Sequence, residues 1–175
     1  MARMPAQRPF LVVTRAGRRS LHTRYAVADE KREFDVIALE YEAGAPVAAD
    51  ARRVALPGSK LAGYASFFQA EPELLDRYRA VALVDDDIET DVDAINRCFR
   101  EGVSLGLDIW QPSLSWDSYL TYAVFLHNAR FRVRYSNFVE MMCPFFSTDA
   151  LKRALPLFAM GYETGIDLAW CRLSP

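Results

Sequence analysis

The chain has 175 residues, with 21 Lys and Arg against 23 Asp and Glu for a net charge of −2, and it is 51% hydrophobic and 13% aromatic. That length buries roughly 70% of the surface an unfolded chain exposes, which argues against disorder and against any need for a disulfide or structural metal. The near-neutral balance lacks the electrostatic footprint of a general nucleic-acid binder, no apolar run approaches the ~20 residues that span a bilayer, and Met1 to Phe10 lacks a signal-peptide core.

In chain order, Phe10 to Thr14 is a short β-branched run between Pro9 and a turn at Arg15-Ala16-Gly17, the pattern of a buried strand. A short helix is expected within Ser20 to Asp29 and a second strand over Phe34 to Tyr41. A third strand follows at Arg53 to Leu56, stopped by Pro57-Gly58. Ser59 can cap a helix starting at Lys60, with Leu61, Tyr64, Phe67 and Phe68 at helical spacing, and a second helical segment can start at Pro72. Ala80 to Val84 is the clearest strand, five apolar residues running into Asp85-Asp86-Asp87. Asp91 can cap a helix carrying Ile95, Cys98 and Phe99. Phe131 to Tyr135 alternates apolar and basic like a half-exposed strand, which Phe138 to Met142 can continue. A last helix starts at Ser147 or Thr148 and ends at Gly161.

Apolar strands alternating with helices predict an α/β fold with a mostly parallel sheet covered on both faces, as one domain over residues 1–175. Cys98, Cys143 and Cys171 have no metal-ligand spacing and read as reduced thiols of a cytoplasmic protein. His22 and His127 form no ligand pattern. Arg130, Arg132 and Arg134 read first as a strand's solvent face, with an anionic acceptor or the inner face of a membrane as the other reading.

The chemistry concentrates after Val84. Three carboxylates at the end of a buried parallel strand repel one another, and in open α/β sheets that end is where ligands bind. Residues two apart in extended backbone point the same way, so Asp85 and Asp87 can face one Mg²⁺ or Mn²⁺, an ion that completes its shell with water and phosphate oxygens. A solvated turn that caps the next helix is the plain alternative.

Val84-Asp85-Asp86-Asp87-Ile88 resembles the Asp-x-Asp strand end of nucleotide-sugar glycosyltransferases of GT-A fold. Four ordered segments narrow the likeness. They are that acidic turn, Ile109 to Ser115, Phe138 to Ser147, and Gly165-Ile166-Asp167-Leu168. Together they resemble a glycosyltransferase-like family of plants and bacteria catalogued as a domain of unknown function, although its usual middle acid, Glu, is Asp86 here.

The resemblance implies a metal-dependent transfer of sugar from a nucleotide-sugar donor to a saccharide acceptor. Asp85 and Asp87 would hold Mn²⁺ or Mg²⁺, with Asp86 beside them, and Asp167 and Glu140 are the candidate catalytic carboxylates. Thr14, Arg15 and Gly17 would meet the nucleotide, and Lys60 a phosphate at a helix start. Gln111, Trp116 and Asp117 would line the acceptor side, and Trp110, Trp116, Tyr119 and Tyr122 could stack on sugars. Only Leu168 to Pro175 follow Asp167, which is short for such a domain. A homo-oligomer that completes the acceptor side, or a missing donor lid with weak activity, is the corresponding expectation.

Two other readings stay open. A nucleotide- or carbohydrate-binding protein could keep the fold without turnover. Haloacid-dehalogenase-like phosphatases also place Asp-x-Asp after a buried strand, but near the start of the chain and without Glu89 at its position.

Overall fold

The computed structural model describes residues 8–173. Its centre is a six-stranded sheet in the order β3-β2-β1-β4-β6-β5, formed by β1 (Phe10–Ala16), β2 (Phe34–Glu40), β3 (Arg52–Ala55), β4 (Ala80–Val84), β5 (Ile109–Trp110) and β6 (Phe145–Ser147). The first four strands are mutually parallel, while β6 runs antiparallel to both β4 and β5. All seven residues of β1 and all five of β4 are buried, as the continuous apolar runs of strands covered on both faces require.

Period-two alternation splits these strands between two cores. Leu11, Val13, Val81 and Leu83 face α1 (Lys60–Ala70), α3 (Thr148–Phe158) and α4 (Asp167–Trp170). Phe10, Val12, Ala80, Ala82 and Val84 face α2 (Val92–Ser104), where the Phe99 ring stacks on Phe10 at 4.5 Å and meets Phe145 edge-on at 4.8 Å. Asp91 caps α2 by accepting from Ala94 N at 2.8 Å, and Ser147 caps α3 by accepting from Ala150 N at 3.2 Å.

Several expected elements differ. The helix expected within Ser20 to Asp29 is one 3₁₀ turn, His22–Arg24, and the segment after Pro72 is a 3₁₀ stretch, Pro72–Arg77. The strand expected over Phe131 to Tyr135 does not form. Arg132 reaches Glu101 on α2 and Arg134 donates to the Leu126 carbonyl, so the alternation serves side-chain anchoring, and the strands beyond β4 are Phe145–Ser147 and, at the edge, Ile109–Trp110. Trp110 is a core residue that packs on Phe145 and donates to the Cys98 carbonyl, which removes it from the sugar-stacking set. The three cysteines are free, Cys143 being buried, and the described residues contain no helix long and apolar enough to cross a membrane.

Candidate functional site

The parallel register sets Thr14 beside Val84, so the pairing of β1 with β4 ends there, and Arg15, still paired with β2, lies next to Asp85 at one edge. By alternation both continue the α1-facing set of Val13 and Leu83, and both side chains turn toward the start of that helix. Lys60, its first residue, puts Nζ 2.5 Å from Asp85 Oδ1 and 2.7 Å from the Met141 carbonyl. Burial pushes the Asp85 carboxyl up to about 6 even though the Lys60 ammonium pulls the other way.

Asp86 turns elsewhere. Its Oδ2 accepts from Gly17 N at 2.7 Å and from the Tyr41 hydroxyl at 3.2 Å, and its carbonyl accepts from Leu21 N, so it ties the two strand-end loops together. The chain turns at once, with Ile88 N donating to the Asp85 carbonyl, so strand alternation does not aim Asp85 and Asp87 together. Asp87 is exposed, and its charge still raises Asp85. Thr14 is fully buried, with its hydroxyl turned to the Arg15 carbonyl at 3.4 Å.

Arg15 is only 4% exposed. Its Nη2 donates to the Gly58 carbonyl at 2.7 Å, its guanidinium lies over the Tyr41 ring, and Nη1 is buried without a hydrogen-bond partner. A Cβ at Gly63 would stand 2.6 Å from Nη1, so glycine there lets the guanidinium pass close under α1 and a larger residue would push it aside. Desolvation lowers the Arg15 pKa, opposed by the neighbouring Tyr64, Glu163, Tyr41 and Asp86.

Glu140 and Asp167 come together from distant segments. Gln111 Oε1 accepts from Glu140 N at 2.5 Å, and buried Trp170 donates to the Val139 carbonyl at 3.0 Å, which fixes α4 against that segment. Asp167 opens α4. Burial raises the Glu140 carboxyl, Asp167 raises it further, and Thr121 and Lys60 act against this. Glu140 is 6% exposed, and its Oε2 has no partner.

Other groups at this edge carried no signal in the sequence. The buried hydroxyls of Tyr25 and Tyr64 form no well-shaped hydrogen bond, although Thr14 lies beside the first and the Arg15 backbone beside the second. His22 Nδ1 meets Ser20 Oγ at 2.7 Å while Nε2 stays unpartnered, and desolvation lowers its pKa. Glu163, from the loop before α4, accepts from Ser59 Oγ at 2.6 Å and from Leu61 N at 3.2 Å. The aromatic residues split: Trp116 is 74% and Tyr119 99% exposed, while Tyr122 packs edge-on against Phe138. His127 pairs with Ser113, away from any metal-ligand grouping.

The described residues hold no group of three or more His, Cys, Asp or Glu placed to bind a metal. Asp85 and Asp87 supply the hard oxygen atoms that Mg²⁺ or Mn²⁺ prefers, but the turn at Ile88 does not aim the two carboxylates together and Lys60 already pairs with Asp85. Two open grooves, of about 540 and 370 Å³, lie at the opposite edge of the sheet around Phe10, Arg79 and Asp108. Space and chemistry therefore point to different edges. Unpartnered buried polar atoms are costly unless something bonds them, and they favour the Asp85 edge.

No family model and no curated protein sequence matches the chain. Among solved structures it is similar to residues 1–349 of TarS from S. aureus, a glycosyltransferase, with a TM-score of 0.57 at 10% identity over 94% of this chain. The chain spans about half of that structure, 54%, and the likeness is one of fold.

Proposed function

We propose that the protein is a metal-dependent glycosyltransferase of GT-A type that moves a sugar from a nucleotide-sugar donor to a saccharide acceptor. The observation that carries this reading is the convergence, at the carboxyl edge of β1 and β4, of Asp85, Lys60 and Arg15 with the buried Glu140 and Asp167. Asp85, Gln111, Glu140 and Asp167, one from each of the four segments on which the family resemblance rests, contribute to that edge, and the fold shared with TarS supports the reading.

In this reading Thr14, Arg15 and Gly17 bound the nucleotide side, and Lys60 with Arg15 offsets diphosphate charge. Asp85 and Asp87 would hold a divalent ion, which would supply charge neutralisation for the diphosphate leaving group. Glu140 and Asp167 lie on the acceptor side. A carboxylate with a raised pKa is suited to take the proton of an attacking hydroxyl in an inverting transfer, and an ionised one to stabilise a cationic sugar in a retaining transfer. Asp86 positions the loops through Gly17 and Tyr41.

A donor-binding protein without turnover is the second reading. It is favoured by the Lys60 ammonium on Asp85, which holds one proposed metal ligand in an ion pair. A panel of nucleotide sugars incubated with Mn²⁺ separates the two. Consumption of one donor that is lost in both Glu140→Ala and Asp167→Ala supports transfer with both acids engaged, and consumption unchanged in both removes them from catalysis. Binding of a donor that is never consumed favours the second reading.

A further inference from the structure

A carboxylate already occupies the start of α1. Glu163 accepts from Ser59 Oγ and Leu61 N, and the N–H groups of Lys60 and Ala62 also face it. Burial pushes its carboxyl up, but these donors outweigh that and hold it below the usual range. Beneath the same turn lies the Arg15 guanidinium, buried, with Nη1 unpartnered and with Glu163 among the charges that act on it. Helix-start N–H groups, a hydroxyl and a spare guanidinium N–H make a cradle for a tetrahedral oxyanion more than for a single carboxylate.

The segment that brings Glu163 there is short and bounded by glycines. It is hinged between Gly161 at φ 79° and Gly165 at φ 77°, both in the left-handed region that favours glycine, and Tyr162 within it is 63% exposed.

Resting on the donor-site reading above, we propose that the Ser59–Leu61 turn with Arg15 is the site for a donor phosphate, and that Glu163 is its resident anion, displaced with its loop when the diphosphate binds. Donor binding and the Glu163 contact are then mutually exclusive. The loop acts as a plug whose release couples occupancy of the donor side to the position of α4 and hence of Asp167.

Inorganic pyrophosphate tests this without nucleoside or sugar. In calorimetric titration of the full chain, Glu163→Gln keeps the side chain's shape and removes its charge, so it should bind pyrophosphate about tenfold or more tightly than the unmodified protein, because less of the population is closed by the plug. In the unmodified chain, pyrophosphate should speed chymotryptic cleavage after Tyr162, since the displaced loop becomes accessible. Equal or weaker affinity in a folded Glu163→Gln protein, pyrophosphate protection or indifference at Tyr162, or no pyrophosphate binding to either protein would overturn the proposal. If Glu163→Gln fails to fold, the cleavage assay on the unmodified chain decides alone. Pyrophosphate behaving as stated while no nucleotide sugar is ever bound or consumed would sink the transferase reading and leave the phosphate site standing.

Discussion

The two ends of the parallel strands differ in how their polar groups are used. At the amino end charges are matched: Arg100 pairs with Glu33, Arg8 with Asp35 and Asp50, and Arg153 with Asp108. There Asn96, though buried, spends its amide on the Lys31 carbonyl at 2.8 Å and on Glu33 N at 3.0 Å. At the carboxyl end, Arg15, His22, Tyr25, Tyr64 and Glu140 each keep a buried polar atom without a partner, whereas Arg32 is the corresponding case at the amino end. An unsatisfied buried polar group costs about 1–3 kcal/mol. Five such groups gather at the carboxyl edge against Arg32 Nε at the other, so the carboxyl edge is where a bound ligand would recover the most hydrogen bonding.

Breaking the carboxyl end should cost chemistry and leave stability nearly intact. Glu140→Gln is expected to lower turnover by about 10²–10⁴-fold, the usual share of a general base, at unchanged donor affinity, measured by steady-state kinetics. The pH dependence has a definite sign. The folded Glu140 carboxyl titrates above its ordinary value, so the native state holds a proton that the unfolded state has released, and stability rises as pH falls toward that ordinary value. Melting temperatures of the unmodified chain should therefore gain on mild acidification relative to Glu140→Gln. Equal pH slopes would remove Glu140 from the set of strained groups.

Breaking the amino end should do the reverse. Phe99→Ala empties a fully buried ring site between Phe10 and Phe145 and should cost about 3–5 kcal/mol in denaturant unfolding, with donor affinity per folded molecule unchanged. Asn96→Ala strands the Lys31 carbonyl and Glu33 N, for about 1–3 kcal/mol. Smallest is Lys152→Ala, which removes an exposed pair with Asp76 and should leave the unfolding midpoint essentially where it is. A Phe99 variant that loses donor affinity in step with stability would erase the contrast between the ends.

Much of this contrast could be read from residue order. The run Ala80 to Val84 before three aspartates marked both the central strand and the edge where its charges collect, because a strand apolar on both faces must be covered on both and its charges can gather only where it ends. Asp91 and Ser147 marked helix starts through chemistry local to three residues. What stayed hidden depends on separation in sequence. Glu163 lies 102 residues from Leu61, and Trp170 reaches Val139 across 31, so no local pattern could announce either. Phe131 to Tyr135 misled for the same reason, since its arginines answer to Glu101 and Leu126 and not to a neighbouring strand. Extended backbone would aim Asp85 and Asp87 the same way, but the turn closed at Ile88 ends that extension immediately.

A donor site built on Asp85 and Asp87 at the carboxyl edge of β4 stands or falls with one titration. Nucleoside diphosphates are added with Mn²⁺, in a calorimeter, to the unmodified chain, to Asp85→Ala and to Asp87→Ala. Mn²⁺-dependent binding of at least one nucleoside diphosphate, abolished in both folded variants, is the expected result. Binding that survives both substitutions, or none to the unmodified chain, would contradict it.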